Sequence, residues 1–232
     1  MIDPDDTAFE EERTSSSGMA SALVTLALFA SSLGIAAVED DGGAGAVAPD
    51  AVASPAAVAV LSELVVAPEA AGEDYDREAF NHWVDADKDG CDTRQEVLLL
   101  ESRAQTTLEP SRCRVATGEW HSMYDGVVVT NPTTLDIDHM VPLKEAWESA
   151  ASTWTDEQRE AYANDLDAPL ALLAVTASTN RSKADRDPAE WKPPDRSTWC
   201  AYAQAWASVK AKWALTADTG EITALEEMLA TC

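Results

Sequence analysis

Hydrophobic and polar positions follow two different periods along the C-terminal two thirds of the chain, and these periods predict a mixture of helices and strands. Helical patterns occur over residues 76–83, 95–104, 144–151, 155–164, 200–213 and 221–229. Apolar and polar residues alternate within residues 120–129, which predicts a hairpin or strands there. A short strand is predicted at 135–139, and the apolar run at 170–175 has the length of a strand. Residues 127–129 are expected to be buried. The pattern as a whole predicts an α+β domain.

The N-terminal third has a different pattern. Within residues 1–37, the stretch 19–37 is apolar and ends in small residues, which is typical of a signal peptide. The residues before it are mostly acidic rather than basic, so this segment is either cleaved, with Met19 as an alternative start, or retained as a membrane anchor. Residues 38–74 contain no aromatic side chain and are typical of a linker. A disordered N-terminal tail and a folded domain at 75–232 are therefore expected.

The charge restricts the possible partners. The formal net charge is −26, from 42 acidic and 16 basic residues. This balance disfavours tight binding of nucleic acid, because contacts from Lys and Arg to phosphate supply most of that affinity. Residues 71–232 still hold thirty acids and fifteen bases. Screening over about 8 Å at physiological ionic strength lets a local basic patch act independently of the net charge.

Four cysteines, Cys91, Cys113, Cys200 and Cys232, form no CxxC pair and therefore lack the usual spacing of zinc ligands. Disulfides are expected instead, which agrees with export to an oxidising compartment. Three pairings are possible. We favour Cys91 with Cys113 and Cys200 with Cys232, because each pair encloses one local segment.

The candidate chemistry lies in the sequence Leu135-Asp-Ile-Asp-His-Met-Val-Pro-Leu143 and in Asn180-Arg-Ser-Lys183. Asp138 is a hard carboxylate suited to Mg²⁺, and His139 follows it on a predicted strand, so that the two side chains can serve separate roles. Neutral histidine is a suitable base near pH 7, and a metal with a base can activate water toward a phosphodiester. An isolated Asp-His pair is more often part of a structural hydrogen-bond network.

Together with the apolar run 170–175 and Asp185, these sequences resemble the ββα-metal core of HNH nucleases. The flanking sequences Cys91-Asp-Thr-Arg94 and Asp187-Pro-Ala-Glu-Trp191, with Cys200 and Cys232, resemble a group of secreted actinobacterial HNH-family endonucleases. The resemblance covers residues 75–232. It implies a ββα-metal core embedded in a mainly helical domain.

The resemblance also implies a role for each residue of the motif. Asp138 and Asn180 would be metal ligands, with Asp136 supporting the metal shell, and His139 would be the general base. The implied cofactor is Mg²⁺, or another divalent metal such as Mn²⁺. A ligand set that supplies only oxygen atoms favours these ions over softer metals.

Arg181 and Lys183 would hold the phosphate or stabilise its developing charge. One position departs from the family pattern. The middle Asn of the motif, which orients the catalytic loop, corresponds to Ala171 by spacing. Asn164 lies seven residues earlier and restores that contact only if the loop geometry differs. His82 and His121 are assigned no catalytic role.

Residues 85–96 match a calcium loop of the EF-hand type. Gly90 stands at loop position 6, and oxygen-bearing side chains occupy positions 1, 3, 5, 9 and 12, namely Asp85, Asp87, Asp89, Thr93 and Glu96. Cys91 and Asp92 at positions 7 and 8 depart from the usual pattern. The alternative is an acidic turn that caps the following helix and presents Arg94 to phosphate or to a carboxylate.

These features predict an exported, monomeric, metal-dependent HNH endonuclease whose substrate is DNA or also RNA. No stable membrane partner is expected once the signal segment is cleaved. The alternative is a degenerate HNH scaffold that binds calcium through residues 85–96 and acts as an extracellular adhesion module, with Ala171 as the mark of lost activity. Metal-dependent cleavage of nucleic acid separates the two interpretations.

Overall fold

The computed structural model describes residues 59, 61–110 and 112–232, and within these ranges the chain forms short strands and α-helices joined by 3-10 turns. The helices are α1 Thr93–Glu101, α2 Leu143–Glu148, α3 Asp156–Ala163, α4 Ala177–Lys183, α5 Trp199–Lys212 and α6 Thr219–Leu229. The strands are β1 Val65–Val66, β2 Thr107–Leu108, β3 Val115–Thr117, β4 Trp120–His121, β5 Val128–Val129, β6 Leu135–His139, β7 Leu172–Thr176 and β8 Thr216–Ala217. The predicted α+β class is confirmed. The predicted tail and the apolar segment 19–37 lie outside the described residues.

The antiparallel pair β6 and β7, followed directly by α4, forms the centre of the fold. Leu135 pairs with Thr176 and His139 pairs with Leu172. All five residues of β7 are buried, because the two-stranded sheet is covered by helices on its faces. The sequence therefore has a continuous apolar run there instead of an alternating one.

Side-chain caps determine where several helices begin. The Asp92 side chain accepts a hydrogen bond from the Gln95 amide at 2.9 Å, so α1 begins at Thr93. Thr155 and Gln158 form a reciprocal capping box before α3. The helix predicted over residues 155–164 is confirmed at α3, with Thr155 as the predicted cap.

Two sequence predictions are wrong. Residues 76–83 form only a 3-10 turn at Arg77–Ala79, because the chain becomes extended at Phe80, whose ring is fully buried against other aromatic rings. Val127 and Val128 were expected to be buried and are 46% and 52% exposed. The hairpin of β4 and β5 has only two strands, so its outer face stays in solvent.

Both predicted disulfides are present. Cys91 is bonded to Cys113 with a Cα–Cα distance of 5.0 Å, which connects the acidic loop before α1 to the segment before β3. Cys200 is bonded to Cys232 with a Cα–Cα distance of 5.1 Å, which fastens the C-terminus to α5. Each bond closes a short loop and so reduces the conformational freedom of the unfolded chain.

A buried ionic network joins three helices behind the central sheet. The Lys210 ammonium on α5 is completely buried and donates to Glu145 on α2 at 2.7 Å and to Glu221 on α6 at 2.6 Å. Burial raises the pKa of Glu221 to about 7, although Lys210 opposes this shift. Because the charges are paired and hydrogen-bonded, the network holds α2, α5 and α6 in one arrangement.

Packing also extends to the N-terminal side of Tyr75. Strand β1 runs parallel to β8, with Val65 opposite Thr216, and Leu64 is buried in the larger of the two apolar clusters. The described chain therefore includes residues that composition assigned to the linker. Among the described residues, none of the helices is long and apolar enough to cross a membrane.

Candidate active site

A cleft beside β6 and α4 brings together residues that are far apart in the sequence. Its volume is about 330 Å³, and it is lined by Arg77, Ile137, Asp138, His139, Pro142, Leu143, Asn180, Arg181, Ala184 and Asp185. Asp138 and His139 come from β6, and Asn180 and Arg181 come from α4. Four of the six residues assigned to the nuclease site therefore line one cleft.

Asp138 is held through one of its two carboxylate oxygens. Its Oδ2 accepts hydrogen bonds from the Tyr124 hydroxyl at 2.6 Å and from the Lys183 ammonium at 2.7 Å. Within the described part of the chain, no hydrogen bond involves its Oδ1. Burial raises the pKa of Asp138, and the Lys183 charge opposes this shift. The two hydrogen bonds to Oδ2 fix the orientation of the carboxylate, and Oδ1 remains available to a ligand in the cleft.

Lys183 lies in the interior beneath Asp138, and not where a residue that contacts phosphate is expected. It is 0% exposed, and its ammonium also donates to the carbonyl of His139 at 2.9 Å. The rings of Tyr124 and Trp206 lie about 6 Å from the same nitrogen. Burial lowers the pKa of Lys183, and the Asp138 charge opposes this shift. The position suits a residue that orients Asp138.

The imidazole of His139 has a defined tautomer. Its Nε2 lies 2.9 Å from the carbonyl oxygen of Ala163, and because a carbonyl can only accept, Nε2 carries the proton. The Nδ1 is then an acceptor, and no hydrogen bond from a described residue reaches it. The ring is stacked on Tyr162 and lies beside Trp83. Burial lowers the pKa of His139 to about 3, so the ring is neutral near pH 7, while the bond to the Ala163 carbonyl opposes this shift.

Oxygen atoms on β6 and α4 are of the chemical type that a small divalent cation prefers. The Asn180 amide nitrogen donates to Asp136 Oδ2 at 3.4 Å. The side-chain carbonyl oxygen of Asn180 takes no part in this bond. In the described chain, neither this oxygen nor Oδ1 of Asp138 has a hydrogen-bond donor. Two hard oxygen donors beside one cleft are suited to Mg²⁺ or Mn²⁺.

Two arginines place positive charge in the cleft. Arg181 is exposed on α4, in the position expected of a phosphate contact. Arg77 was not predicted from the sequence. It lies on the 3-10 turn Arg77–Ala79, and no motif connects that turn to β6. The one feature of the sequence that could have indicated Arg77 is that it is a single basic residue within an acidic segment.

Within the described chain, the side chain of Asn164 makes four hydrogen bonds next to the residue whose carbonyl holds His139. Its Oδ1 accepts from the Val84 amide at 3.1 Å and from the Thr93 hydroxyl at 2.8 Å. Its Nδ2 donates to the carbonyls of Asn81 and Glu160, both at 2.8 Å. Asn164 follows Ala163 directly, so these contacts fix the carbonyl that holds His139. Ala171 is buried in the larger apolar cluster, and its carbonyl accepts from the Met140 amide at 2.9 Å.

The predicted calcium loop has part of the expected geometry. Asp85, Asp87 and Asp89 are exposed, and one carboxylate oxygen from each lies within 4.8 Å of the others. Burial and these three charges raise the pKa of Glu96. Thr93 is placed differently, because its hydroxyl lies 2.8 Å from Asn164 Oδ1 and 3.0 Å from the Val84 carbonyl, and it is buried away from the acidic side chains.

Comparison with known proteins adds two findings. The family described as GmrSD restriction endonucleases, C-terminal domain, matches residues 92–228. A protein of Arthroderma benhamiae described as an uncharacterized secreted protein is 40% identical over 184 residues, which covers 79% of this chain and 88% of the relative. No solved structure matches the chain. The family match includes β6, β7 and α4 and excludes the turn that carries Arg77.

Proposed function

The chain belongs to the family of GmrSD restriction endonuclease C-terminal domains, and on that premise we propose that it is an exported, metal-dependent endonuclease of the HNH type. Its proposed substrate is DNA, and RNA is a second substrate to be tested. Export is supported by the description of the Arthroderma benhamiae relative as secreted and by two disulfides.

One observation carries the proposal. Asp138 and His139, which are adjacent on β6, are each fixed by a buried hydrogen bond and both line the cleft opposite Asn180. A purely structural Asp-His pair would direct its hydrogen-bonding atoms into the interior. Here Oδ1 of Asp138 and Nδ1 of His139 are left without a hydrogen-bond partner in the described chain, as a site that acts on a ligand requires.

A divalent cation held by Asp138 and Asn180 would neutralise charge on the scissile phosphate and on the departing oxygen. His139 Nδ1 would accept the proton of the attacking water, whose oxygen forms the new bond to phosphorus as the bond to the leaving oxygen breaks. The resulting imidazolium is stabilised by its Nε2–H bond to the Ala163 carbonyl. Asp136 would keep the Asn180 amide oriented, and Lys183 with Tyr124 would keep Asp138 oriented.

Positive charge in the cleft reconciles the proposal with the acidic composition. Arg77 and Arg181 both line the cleft, and neither forms an ion pair with another described residue. Arg77 also interacts with the Tyr75 hydroxyl, but with no carboxylate paired to either guanidinium group, we infer that both can bind a phosphate. The small number of such contacts predicts weak, strongly salt-dependent binding with little sequence specificity.

Plasmid nicking in the presence of Mg²⁺ or Mn²⁺ tests the proposal. We expect the wild-type protein to nick supercoiled DNA and chelation to abolish the activity. Asp138→Ala and His139→Ala should each lower the rate by at least about 100-fold. Asp167→Ala is a matched control, because Asp167 is exposed and does not line the cleft.

Two outcomes contradict the proposal in different ways. Cleavage that His139→Ala retains would remove His139 as the base. Absence of cleavage of DNA and RNA with every divalent ion tried would favour the alternative of a calcium-binding adhesion module. Calcium at Asp85, Asp87 and Asp89 stays a proposal for the acidic loop, and it is compatible with either function because these residues do not line the catalytic cleft.

A further inference from the structure

A second cavity, of about 540 Å³, lies apart from the catalytic cleft and shares no lining residue with it. Its volume falls within the range of roughly 300–1,000 Å³ that is usual for small-molecule sites. Apolar walls come from Met123, Leu170 and Leu173, and the polar side chains that converge on it include Glu101, Arg103 and His121. An apolar cavity with a few convergent polar groups is the usual construction of a ligand site.

The carboxyl group of Glu101 has unused hydrogen-bonding capacity. Its Oε2 accepts from the Ala174 amide at 2.9 Å, and no other hydrogen bond or ion pair within the described chain involves this side chain. Burial raises the pKa of Glu101 to about 7, and the Ala174 bond opposes this shift. A carboxyl group that is removed from water and paired with no cation is stabilised by any ligand that donates to it.

The charges around the cavity restrict the ligand. Arg103 and His121 line the same cavity as Glu101. Because His121 Nε2 already lies 3.2 Å from the Glu119 carboxylate, the Arg103 charge is what disfavours a simple organic cation and complements an anionic group. The ligand should therefore combine neutral N–H donors, a flat apolar body and an anion. A guanine nucleotide has all three, because the Watson–Crick edge of guanine presents two adjacent donors, N1–H and the exocyclic amine, beside a stacking surface and a phosphate.

We propose that this cavity is a nucleotide subsite that receives one unpaired guanine of the substrate strand, with the base edge on Glu101 and the phosphate near Arg103. The assignment rests on the proposed nuclease function. It is supported by the turn at residues 122–126, because Ser122 and Met123 line the cavity while Tyr124 donates to Asp138. One segment thus contributes to both sites.

Binding of mononucleotides without metal tests the subsite independently of cleavage. The probes are GMP, IMP and AMP, measured by calorimetry on the full chain with both disulfides intact at pH 8. GMP should bind about tenfold more tightly than IMP, which lacks the exocyclic amine, because a hydrogen bond to a charged group is lost. AMP should bind more weakly still, since its ring nitrogen accepts where guanine donates.

Variants identify the contacts. Glu101→Gln keeps an acceptor for the Ala174 amide and should abolish the preference for GMP over IMP. Ala201→Trp should block the cavity, because Ala201 lines it from an exposed position on α5 and the change leaves the core untouched. Arg103→Ala should weaken GMP more than guanosine. Arg112→Ala, outside the cavity, is the control and should change none of these values.

The outcomes separate this proposal from the nuclease proposal. Equal binding of GMP and IMP, absence of GMP binding, or a preference that survives Glu101→Gln would each overturn the guanine subsite even if wild-type protein nicks DNA. Conversely, Asp138→Ala should lose cleavage and keep GMP binding. GMP selectivity in a wild-type protein that cleaves nothing would leave the subsite intact and reject the nuclease function.

Discussion

Lys183 either orients Asp138 or contacts the phosphate, and these two roles predict different effects of replacing it. Its ammonium is 0% exposed and lies 2.7 Å from Asp138 Oδ2. Replacement by Met keeps most of the side-chain volume and removes the charge, which leaves the buried Asp138 carboxylate with Tyr124 as its only described donor. Removing one partner of a buried ion pair costs about 3–5 kcal/mol. We expect Lys183→Met to lower the free energy of unfolding by that amount.

Urea denaturation followed by tryptophan fluorescence, with the disulfides intact, measures this loss. Arg181→Met is the matched control, because Arg181 lies on the same helix but is exposed, and its replacement should change the stability by less than about 0.5 kcal/mol. In the double variant with Asp138→Asn, neither charge is left unpaired. The two losses should then be strongly non-additive, with a coupling free energy of at least about 2 kcal/mol.

Metal binding provides a second measurement of the same pair. If Lys183 orients Asp138, then Lys183→Met should weaken Mn²⁺ binding about tenfold or more, as is usual when a residue supporting a ligand is removed. A stability loss below about 1 kcal/mol, or additive losses in the double variant, would refute the reasoning. Normal stability combined with a raised KM would instead restore the role of a phosphate contact that the sequence resemblance implied.

Four further predictions concern the cleft, its supporting loop, the acidic loop and Glu101. Arg77→Ala should reduce the rate of DNA nicking about tenfold at low substrate concentration and decrease the slope of log affinity against log salt by about 0.9, while Arg112→Ala should change neither. Asn164→Ala should lower the free energy of unfolding by about 2 kcal/mol or more, because it leaves buried groups unpaired, and it should also lower kcat. An unchanged kcat would separate the loop from His139. Calcium at about 100 times its Kd should raise the free energy of unfolding of wild type by about 2.7 kcal/mol. The accompanying rise in Tm should be absent in Asp85→Ala, and equal shifts would exclude the loop. Since the pKa of Glu101 is about 7 in the folded chain against an ordinary value of 4.5, its contribution to stability is complete below pH 4.5 and is lost as pH rises through 7. The loss is at most about 3 kcal/mol, and less because the side chain keeps some contact with water. Glu101→Gln should therefore flatten the stability profile between pH 4.5 and 7, and an unaltered profile would contradict the shift.

Local features of the sequence were sufficient for most of the elements and for part of the site. The cap at Thr155, the apolar run at β7 and the short strand at β6 depend on neighbouring residues, so a pattern of period 3.6 or 2 reveals them. Asp138, His139 and Asn180 could be named because the motif has a characteristic spacing. The pairing of the four cysteines followed from the short loops they enclose.

Other features depended on contacts between distant segments. The turn at residues 77–79 replaced a predicted helix because Phe80 is drawn into an aromatic cluster, which outweighs local propensity. Val127 and Val128 are exposed because, within the described chain, they pack into neither of the two apolar clusters. Arg77 is 60 residues or more from its neighbours in the cleft, and no local period carries that information.

The sequence by itself determined the class of fold, the disulfide pairing and the residues that form the candidate metal and base site. Only the tertiary structure decided how those residues are held. Lys183 is buried under Asp138, the Ala163 carbonyl sets the tautomer of His139, and Asn164 holds the chain beside Ala163 through hydrogen bonds to distant segments. The physical reason is that side-chain burial and hydrogen-bond partners depend on which distant segments pack together, whereas periodicity and caps depend only on residues within a few positions.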